Sequence, residues 1–415
     1  MQPYDMKELE ERVILVGVQE SFSEDVEESL DELAELCETA GALVVGRVIQ
    51  NREKIHPGTY VGKGKIEEIA LLMEELGATG IVCDDELSPA QLNNLEKELD
   101  CKVMDRTLII LDIFAARANT SEGNIQVELA QLRYRAARLV GLRNSLSRLG
   151  GGIGTRGPGE KKLEIDRRLI HARISQLKAE LAQVQKHREL IRSKRKKDQM
   201  VVAAIVGYTN AGKSTLLNTL TDAGVLEEDK LFATLDPTTR LLELPGGQNI
   251  LLTDTVGFIR KLPHHLIEAF KSTLEEAKYA DIIIHVVDAS NPQKEKQMHV
   301  VYETLKDLGV KDQPILTLFN KQDRIENPEI LKDMKADKTL KISAKTGQGL
   351  DDLKDELEKI LRARSILLER VFPYEKAGLI QIVRAKGQLL EEEYRGDGIY
   401  VKAFVPAEIY GKVAY

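Results

Sequence analysis

The chain has 415 residues, which is too long for one hydrophobic core, so two to four domains are expected. Hydrophobic residues make up 42% of the sequence and charged residues 30%, and the net charge of -8 excludes a uniformly basic nucleic-acid-binding protein. The N-terminus is acidic and no apolar run approaches the roughly 20 residues that cross a bilayer, which predicts a cytoplasmic protein with no signal peptide or membrane span.

Predicted strands and helices alternate in residues 1–106. Apolar, β-branched runs predict strands at 13–18, 42–49, 80–83 and 102–104. Apolar residues at helical spacing predict helices at 23–40, 66–76 and 88–99. This alternation predicts a small N-terminal α/β domain with a mostly parallel sheet.

Two polar stretches of this domain each have a structural and a functional interpretation. Gly62–Lys65 (Gly-Lys-Gly-Lys) is expected to be a solvated turn, with contact to phosphate as the alternative. Asp84–Glu86 (Asp-Asp-Glu) is expected to be an acidic loop before a helix, with metal binding as the alternative. Cys37, Cys83 and Cys101 lack metal-ligand spacing, so we expect free thiols in a reducing compartment.

Residues 107–199 carry two apolar seams with steps of three and four residues, which are typical of coiled coils. The first seam comprises Ile125, Leu129, Leu132, Ala136, Leu139 and Leu146. The second comprises Ile170, Ile174, Leu177, Leu181, Val184 and Ile191. A stretch that is too rich in glycine to be helical, residues 150–159, separates them. The pattern predicts a long antiparallel helical hairpin with the glycine-rich loop near its tip.

The charge of this region is one-sided. Residues 133–197 contain 19 Lys and Arg against 5 Asp and Glu, a net charge of +14, so the rest of the chain carries -22. A solvated helix surface usually mixes both signs, whereas such an excess favours a polyanionic partner. Because aromatic residues are scarce, we expect contact with RNA phosphates rather than base stacking. A solvated surface and acidic lipid are the alternatives.

Residues 207–214 (Gly-Tyr-Thr-Asn-Ala-Gly-Lys-Ser) match the phosphate-binding pattern G-x-x-x-x-G-K-[ST]. An apolar run at 201–206 precedes them and a predicted helix begins at Ser214, which is the strand–loop–helix context that this motif requires. Backbone N–H groups of the loop can then surround phosphate oxygens. Lys213 can reach the β- and γ-phosphates, and the Ser214 hydroxyl can bind Mg²⁺.

Four further segments follow in the order that a guanine-nucleotide switch requires. Residues 254–257 (Asp-Thr-Val-Gly) follow an apolar strand, so Asp254 can hold Mg²⁺ through water and the Gly257 N–H can meet the γ-phosphate. Residues 232–239 form a hydroxyl-rich loop in which one threonine is expected to bind Mg²⁺. The residue pattern alone does not separate Thr234 from Thr238 or Thr239.

The other two segments select the base. Residues 320–323 (Asn-Lys-Gln-Asp) follow the strand predicted at 314–319, and the Asp323 carboxylate can accept hydrogen bonds from guanine N1–H and its amino group. Asn320 is expected to shape the pocket and Lys321 to lie along the ring. Residues 343–345 (Ser-Ala-Lys) follow the strand predicted at 339–342, and their backbone can approach guanine O6. Each segment sits at the carboxyl end of a strand, where open α/β sheets bind ligands.

The last region, residues 365–415, shows no catalytic constellation. Strands are predicted at 366–372, 388–394 and 399–405, with a hairpin turn at 396–398 and a helix at 375–385. We expect a small α+β interaction or packing module. The complete prediction is therefore an α/β chain with four domains: an N-terminal α/β domain (1–106), a basic helical hairpin (107–199), a P-loop GTPase domain (200–364) and a C-terminal α+β domain (365–415).

The nucleotide motifs resemble those of translation-factor-type GTPases. Together with residues 56–65, 150–160, 232–240 and 254–258, they are similar to the HflX family of ribosome-associated GTPases over about residues 10–364. The resemblance implies Mg²⁺-dependent GTP hydrolysis, binding to the large ribosomal subunit and its RNA, and splitting of stalled or idle ribosomes, notably after heat stress. It also implies that Thr234 is the Mg²⁺-binding threonine. A ribosome-assembly GTPase and a nucleotide-gated RNA-binding protein are the alternatives.

The predicted site follows from these segments and this resemblance, and a monomer is expected. Lys213, Thr234 and Gly257 are the expected catalytic residues, and Ser214, Thr234 and Asp254 are the expected Mg²⁺ ligands. The predicted nucleotide-binding residues are Gly207, Tyr208, Thr209, Asn210, Ala211, Gly212, Lys213, Ser214, Thr215, Phe232, Ala233, Thr234, Asp254, Thr255, Val256, Gly257, Asn320, Lys321, Gln322, Asp323, Ser343, Ala344 and Lys345.

Two residues modify the expected mechanism. Phe258 stands where many GTPases have a water-orienting glutamine, and a phenyl ring cannot orient water by hydrogen bonding. We therefore expect slow intrinsic turnover that the ribosome accelerates. The position of Asn210 resembles that of GTPases that recruit K⁺ beside the phosphates, so K⁺ is a second candidate cofactor; buttressing of the loop is the alternative. His264 and His265 are expected to be exposed rather than catalytic.

Overall fold

The computed structural model describes residues 11–20, 25–146, 158–197, 200–221, 231–232, 237–261, 274–326 and 330–413. At residues 140–146, 158–163, 195–197, 386, 407 and 408 it describes the backbone alone. The described residues form two compact units. The first contains those up to His187 together with 231–232 and 260–261, and the second contains the rest. The predicted division into four domains stays a prediction.

A four-stranded sheet organises the first unit. Its strand order is β2-β1-β3-β4 and all its pairs are parallel, so the predicted parallel sheet is confirmed. Its core is built from the β-branched and aliphatic residues that predicted the strands. The elements are β1 (Arg12–Glu20), α1 (Val26–Thr39), β2 (Leu43–Arg52), α2 (Lys63–Leu76), β3 (Gly80–Cys83), α3 (Pro89–Leu99), β4 (Lys102–Asp105) and α4 (Arg106–Arg117).

Local capping explains where these helices begin. Ser88 and Gln91 form a reciprocal capping box at α3, with Pro89 in the first turn. The Asp105 carboxylate caps α4 by accepting from Leu108 N–H. Gly62 is the N-cap of α2, so the Gly-Lys-Gly-Lys stretch opens this helix and the expectation of a turn is wrong. The first N–H groups of any helix have no acceptor within the helix. This polar stretch can therefore form the first turn of α2 while groups outside the helix accept hydrogen bonds from those N–H groups.

The two long helices of the predicted hairpin are α5 (Ser121–Leu146) and α6 (Pro158–Lys197). They pack through seam residues that include Leu129, Leu132, Ile174 and Leu177, and Arg173 and Glu128 pair across them. Pro158 begins α6, which corrects the expectation that residues 158–159 cannot be helical; proline suits a first helical position. Residues 147–157, which hold most of the glycine-rich loop, lie outside the described residues. The seam also ends earlier than predicted, because Ile191 is 40% exposed.

A six-stranded sheet carries the predicted nucleotide motifs in the second unit. Its order is β10-β9-β8-β5-β7-β6, and within the described part of this sheet only the edge strand β6 pairs antiparallel. Thr238 and Thr239 lie in β6 instead of the predicted loop, and the hydroxyls of Thr239 and Thr253 are 3.0 Å apart. The elements are β5 (Val201–Gly207), α7 (Lys213–Thr221), β6 (Thr238–Glu243), β7 (Asn249–Asp254), β8 (Ile282–Asp288), α8 (Lys294–Leu308), β9 (Ile315–Asn320), β10 (Lys338–Lys341) and α9 (Leu350–Ala363).

The C-terminal residues of the second unit form the expected α+β module. The antiparallel sheet has the order β11-β13-β12 and packs its alternating apolar face against helices. The last helix, α11, was not predicted. Among the described residues, no helix is long and apolar enough to cross a membrane. The elements are β11 (Ser365–Phe372), α10 (Ala377–Lys386), β12 (Gln388–Arg395), β13 (Gly398–Pro406) and α11 (Ala407–Val413).

Candidate functional site

The phosphate-binding loop connects β5 to α7 and depends on its two glycines. Gly207 has φ 156° and Gly212 has φ 94°, values that favour glycine. A Cβ at Gly207 would lie 2.3 Å from the Val286 carbonyl oxygen, and one at Gly212 would lie 2.3 Å from the Asn320 side-chain nitrogen. The loop therefore packs against the ends of neighbouring strands so closely that only glycine fits at these positions.

Lys213 begins α7, and its ammonium group is buried beneath the loop. Its Nζ donates to the Tyr208 carbonyl oxygen at 2.8 Å. Burial lowers the pKa of Lys213 to about 8; the charge of Asp254 opposes this shift and that of Lys321 adds to it. A phosphate placed here would stabilise the charged lysine, which is the chemistry expected of this position.

Ser214 and Asp254 supply oxygen atoms at one point beside the loop. The Ser214 hydroxyl donates to Asp254 Oδ2 at 2.8 Å, and the Asp254 side chain is fully buried. A hydroxyl and a carboxylate are hard oxygen donors of the kind that Mg²⁺ prefers, so this pair fits the predicted ion. Thr234 and Ala233 lie outside the described residues.

Gly257 and Phe258 follow β7 and are joined to the phosphate loop. Phe258 donates from its N–H to Gly207 O at 3.1 Å and accepts at its carbonyl from Thr209 N–H at 2.8 Å. Its side chain is 2% exposed, so the ring is part of the interior. A Cβ at Gly257 would lie within 3.0 Å of both Thr209 and Lys213, which explains the glycine. The phenyl group at the predicted water-orienting position is therefore buried.

The predicted guanine site lies at the ends of β9 and β10. The Asn320 side chain bridges two loops, since it donates to Ala211 O at 2.9 Å and accepts from Ala344 N–H at 2.9 Å. Ser343 donates to Asp323 Oδ1 at 2.5 Å, and this hydrogen bond lowers the pKa of the exposed Asp323 carboxyl. Asp323 is thus held as an acceptor, as recognition of guanine requires.

The remaining predicted residues occupy several environments. Lys321 has a left-handed φ of 62° and pairs with Asp288 at 2.7 Å. Phe232 belongs to the first unit, where its ring packs edge-on against Phe114 at 4.7 Å, so its side chain is engaged in apolar packing. Tyr208, Ala211, Thr255 and Val256 are buried, Thr215 and Gln322 are half-buried, and Lys345 is exposed.

The acidic stretch after β3 has partners that the sequence did not suggest. Buried Asp84 lies 2.7 Å from Arg106 and 2.5 Å from Lys261, and Asp85 lies 2.7 Å from Lys261. Burial opposes ionisation of Asp84, but Arg106 and Lys261 lower its pKa. The stretch is therefore an ion-pair partner of Arg106 and Lys261. No motif marked Lys261, because a lone lysine reveals nothing about a partner far away in sequence.

Three family models cover most of the chain. Residues 27–115 match a model described as GTP-binding GTPase N-terminal, and residues 117–195 match one described as GTP-binding GTPase Middle Region. Residues 202–321 match a model described as 50S ribosome-binding GTPase. The third match covers the phosphate loop, the Asp254–Gly257 segment and the first two residues of the predicted base-recognition segment.

Curated proteins are similar over nearly the full length. A protein of Lacrimispora saccharolytica named GTPase HflX is 69% identical over 410 residues, which are 99% of this chain and 97% of that protein. The Escherichia coli K12 protein of the same name is 43% identical over 353 residues, 84% of this chain and 83% of its own. Among solved structures, a GTP-binding protein of Sulfolobus solfataricus in complex with GDP is 26% identical, with a TM-score of 0.45 and coverage of 84% of this chain and 98% of that chain.

Proposed function

Because this chain belongs to the HflX family of GTPases and hydrolyses GTP, we propose that it binds the large ribosomal subunit and uses the GTP cycle to split stalled or idle ribosomes. The observation that supports the proposal is the presence, in one chain, of the loop and strand-end segments predicted to bind a guanine nucleotide and of two helices rich in lysine and arginine. Exposed side chains along α6 include those of Arg167, Arg168, Lys178, Lys186 and Lys194. Such a surface suits an RNA backbone.

We propose that GTP binds with each of the predicted segments in the role that its sequence motif indicates. N–H groups within residues 207–214, apart from that of Thr209, surround the phosphates, Lys213 bonds the β- and γ-phosphates, and Asp323 selects guanine. Ser214, Asp254 and Thr234 would hold Mg²⁺, which neutralises phosphate charge during transfer. The Gly257 N–H meets the γ-phosphate. Cytosolic localisation belongs to the same proposal.

Turnover is proposed to be slow until the ribosome completes the site. Phe258 is buried and has no polar atom in its side chain, so it cannot align the attacking water. Large subunits are expected to raise the hydrolysis rate, and an unchanged rate would contradict this part of the proposal. K⁺ beside Asn210 is a further proposed contribution, with hydrolysis expected to be faster in K⁺ than in Na⁺ buffer.

Sedimentation tests the function directly. Intact ribosomes are incubated with the protein and either GTP or a non-hydrolysable analogue, and the fraction of free subunits is measured. We expect subunits to appear in a nucleotide-dependent manner. Binding without dissociation would favour a ribosome-assembly GTPase, and RNA binding without subunit-stimulated hydrolysis would favour a nucleotide-gated RNA-binding protein.

A charge reversal tests the basic helix. Lys178→Glu combined with Lys186→Glu is expected to weaken subunit binding and to lower the salt dependence of that binding by about one unit of slope per lost phosphate contact. Lys306→Glu combined with Lys359→Glu changes the net charge by the same amount at side chains that are 76% and 65% exposed, and is the control for net charge. Equal loss in both variants would indicate a general charge effect instead of a specific surface.

A further inference from the structure

Thr209 holds a buried hydroxyl that makes no hydrogen bond within the described part of the chain. The residue is 6% exposed, and its Oγ1 is inaccessible and unpartnered. Its backbone N–H is already used, since it donates to Phe258 O at 2.8 Å. The nearby buried Thr255 behaves differently, because its hydroxyl donates to Ile205 O at 2.8 Å. An unsatisfied buried hydroxyl is costly, and valine has the same shape, so stability alone does not account for threonine here.

The place of this side chain points to a ligand. A Cβ built on Gly257 would lie 2.8 Å from Thr209 Cγ2 and 3.0 Å from Lys213 Nζ, so Thr209 and the ammonium group border the same face of Gly257. Gly257 and Lys213 are the two groups proposed to address the γ-phosphate. The Thr209 methyl group and Lys213 Nζ therefore lie on the same side of Gly257. A rotation about the Thr209 Cα–Cβ bond, which exchanges the methyl group and the hydroxyl, turns Oγ1 toward the phosphoryl group to be transferred.

The residue at the water-orienting position supplies no alternative donor. Phe258 is apolar, and its backbone N–H donates to Gly207 O at 3.1 Å. We propose that Thr209 is a catalytic residue whose hydroxyl donates a hydrogen bond to a γ-phosphate oxygen and so stabilises the charge of that group during transfer. This inference rests on the proposed placement of GTP. In the reaction, the water oxygen bonds to the γ-phosphorus, the bond to the β–γ bridging oxygen breaks and the water proton passes to phosphate, while the threonine hydroxyl remains unchanged.

Two substitutions separate the hydroxyl from the shape of the side chain. Thr209→Val keeps the branched shape and removes the hydroxyl, whereas Thr209→Ser keeps the hydroxyl. In single-turnover hydrolysis at saturating GTP, with and without large subunits, Thr209→Val is expected to be at least about tenfold slower, as for loss of one transition-state donor. Thr209→Ser is expected to retain most of the rate. GDP affinity should change little in either variant.

Thermal unfolding gives a second, opposite readout. Thr209→Val removes an unsatisfied polar group, so its Tm is expected to equal or exceed that of the parent. Thr255→Val, which removes a partnered hydroxyl, should lower the Tm and serves as the stability control. A Thr209→Val protein with the parental hydrolysis rate would overturn the inference, and so would one that loses GDP affinity or stability together with rate. Failure of the parent protein to bind GTP would instead contradict the proposed site.

Discussion

Two lysines of this molecule, the buried Lys213 and the half-buried Lys261, have opposite surroundings. Lys213 Nζ lies under the phosphate loop, where the Tyr208 carbonyl is its hydrogen-bond acceptor and no carboxylate pairs with it among the described residues. Lys261 Nζ, in the first unit, lies 2.5 Å from Asp84 Oδ2 and 2.7 Å from Asp85 Oδ1. Burial lowers the pKa of Lys213 to about 8. Burial acts in the same direction on Lys261, but Asp84 and Asp85 raise its pKa above the ordinary value.

This difference suggests that the charge of Lys213 serves to bind a ligand, whereas the charge of Lys261 serves to stabilise the fold. A buried ammonium group without a carboxylate costs stability, so its retention at Lys213 indicates a negative partner that arrives from outside. The charge of Lys261 is already compensated, and loss of a compensated partner leaves the opposite charge buried. The same substitution at the two lysines should therefore have opposite effects on stability.

The largest effect on stability is expected at the centre of the ion-pair cluster. Asp84→Asn would leave the buried Arg106 and the half-buried Lys261 with one carboxylate fewer, at a cost of about 3–5 kcal/mol in the free energy of unfolding. Asp85→Asn is the matched control, since the Asp85 side chain is 25% exposed and should matter less. Urea unfolding measures both. Equal destabilisation by the two variants would contradict a cluster centred on Asp84.

Lys213→Met tests the buried lysine that has no carboxylate partner among the described residues. We expect a loss of GTP hydrolysis on the order of 10²–10³-fold, because a donor to the transferred phosphate is removed. The free energy of unfolding should hold or rise, since methionine removes a buried charge without a carboxylate partner. Single-turnover kinetics and urea unfolding provide the two measurements. A destabilised Lys213→Met protein would show that this lysine supports the fold.

Lys261→Met should destabilise the protein by about 1–2 kcal/mol. Its hydrogen bonds are made to charged groups, but the side chain is 34% exposed and Asp84 keeps Arg106 as a partner. The measurement is again urea unfolding. Lys261→Arg is the control, since it keeps the positive charge. A neutral effect of Lys261→Met would remove the contrast between the two lysines.

The features around Lys213 that depend on local sequence pattern could be predicted from the sequence. The strand before Gly207 and the polar segments at strand ends were visible as periodicity and motifs, so the nucleotide loop, Asn320 and Asp323 could be placed in advance. Asn320 was expected to shape the pocket. That role stays a prediction, and its side chain hydrogen-bonds to Ala211 and Ala344.

Long-range pairing escaped prediction. Lys261 and Asp84 are separated by 177 positions, and Arg106 follows a short strand without any motif. The edge strand β6 was missed because its threonines were interpreted as loop hydroxyls, although threonine also favours strands. Ile191 fits the apolar period yet is exposed, while Arg188 and Arg192 of the same helix contact Glu276. Periodicity indicates a face but does not say where packing ends.

The pKa of Lys213 predicts a pH dependence that Lys213→Met lacks. Phosphate favours the charged lysine, so the nucleotide-bound pKa lies above the free value of about 8. Below pH 8 the lysine is charged in both states and GDP affinity should be flat. Above it, binding must take up a proton, so affinity should fall by up to about tenfold per pH unit until the bound pKa is passed.

The ratio of parent to Lys213→Met affinities between pH 7 and pH 9 isolates this lysine, because all other titrating groups, including the guanine ring, are common to both proteins. The free energy of unfolding should change in the opposite direction from GDP affinity as the pH rises. A folded pKa below the unfolded value penalises folding at pH below 8, and the penalty fades as the pH rises toward the ordinary lysine value of about 10.4. The parent should therefore gain stability relative to Lys213→Met over that interval. An affinity ratio that stays constant across pH 7–9 would mean that Lys213 is not the group that receives the phosphate.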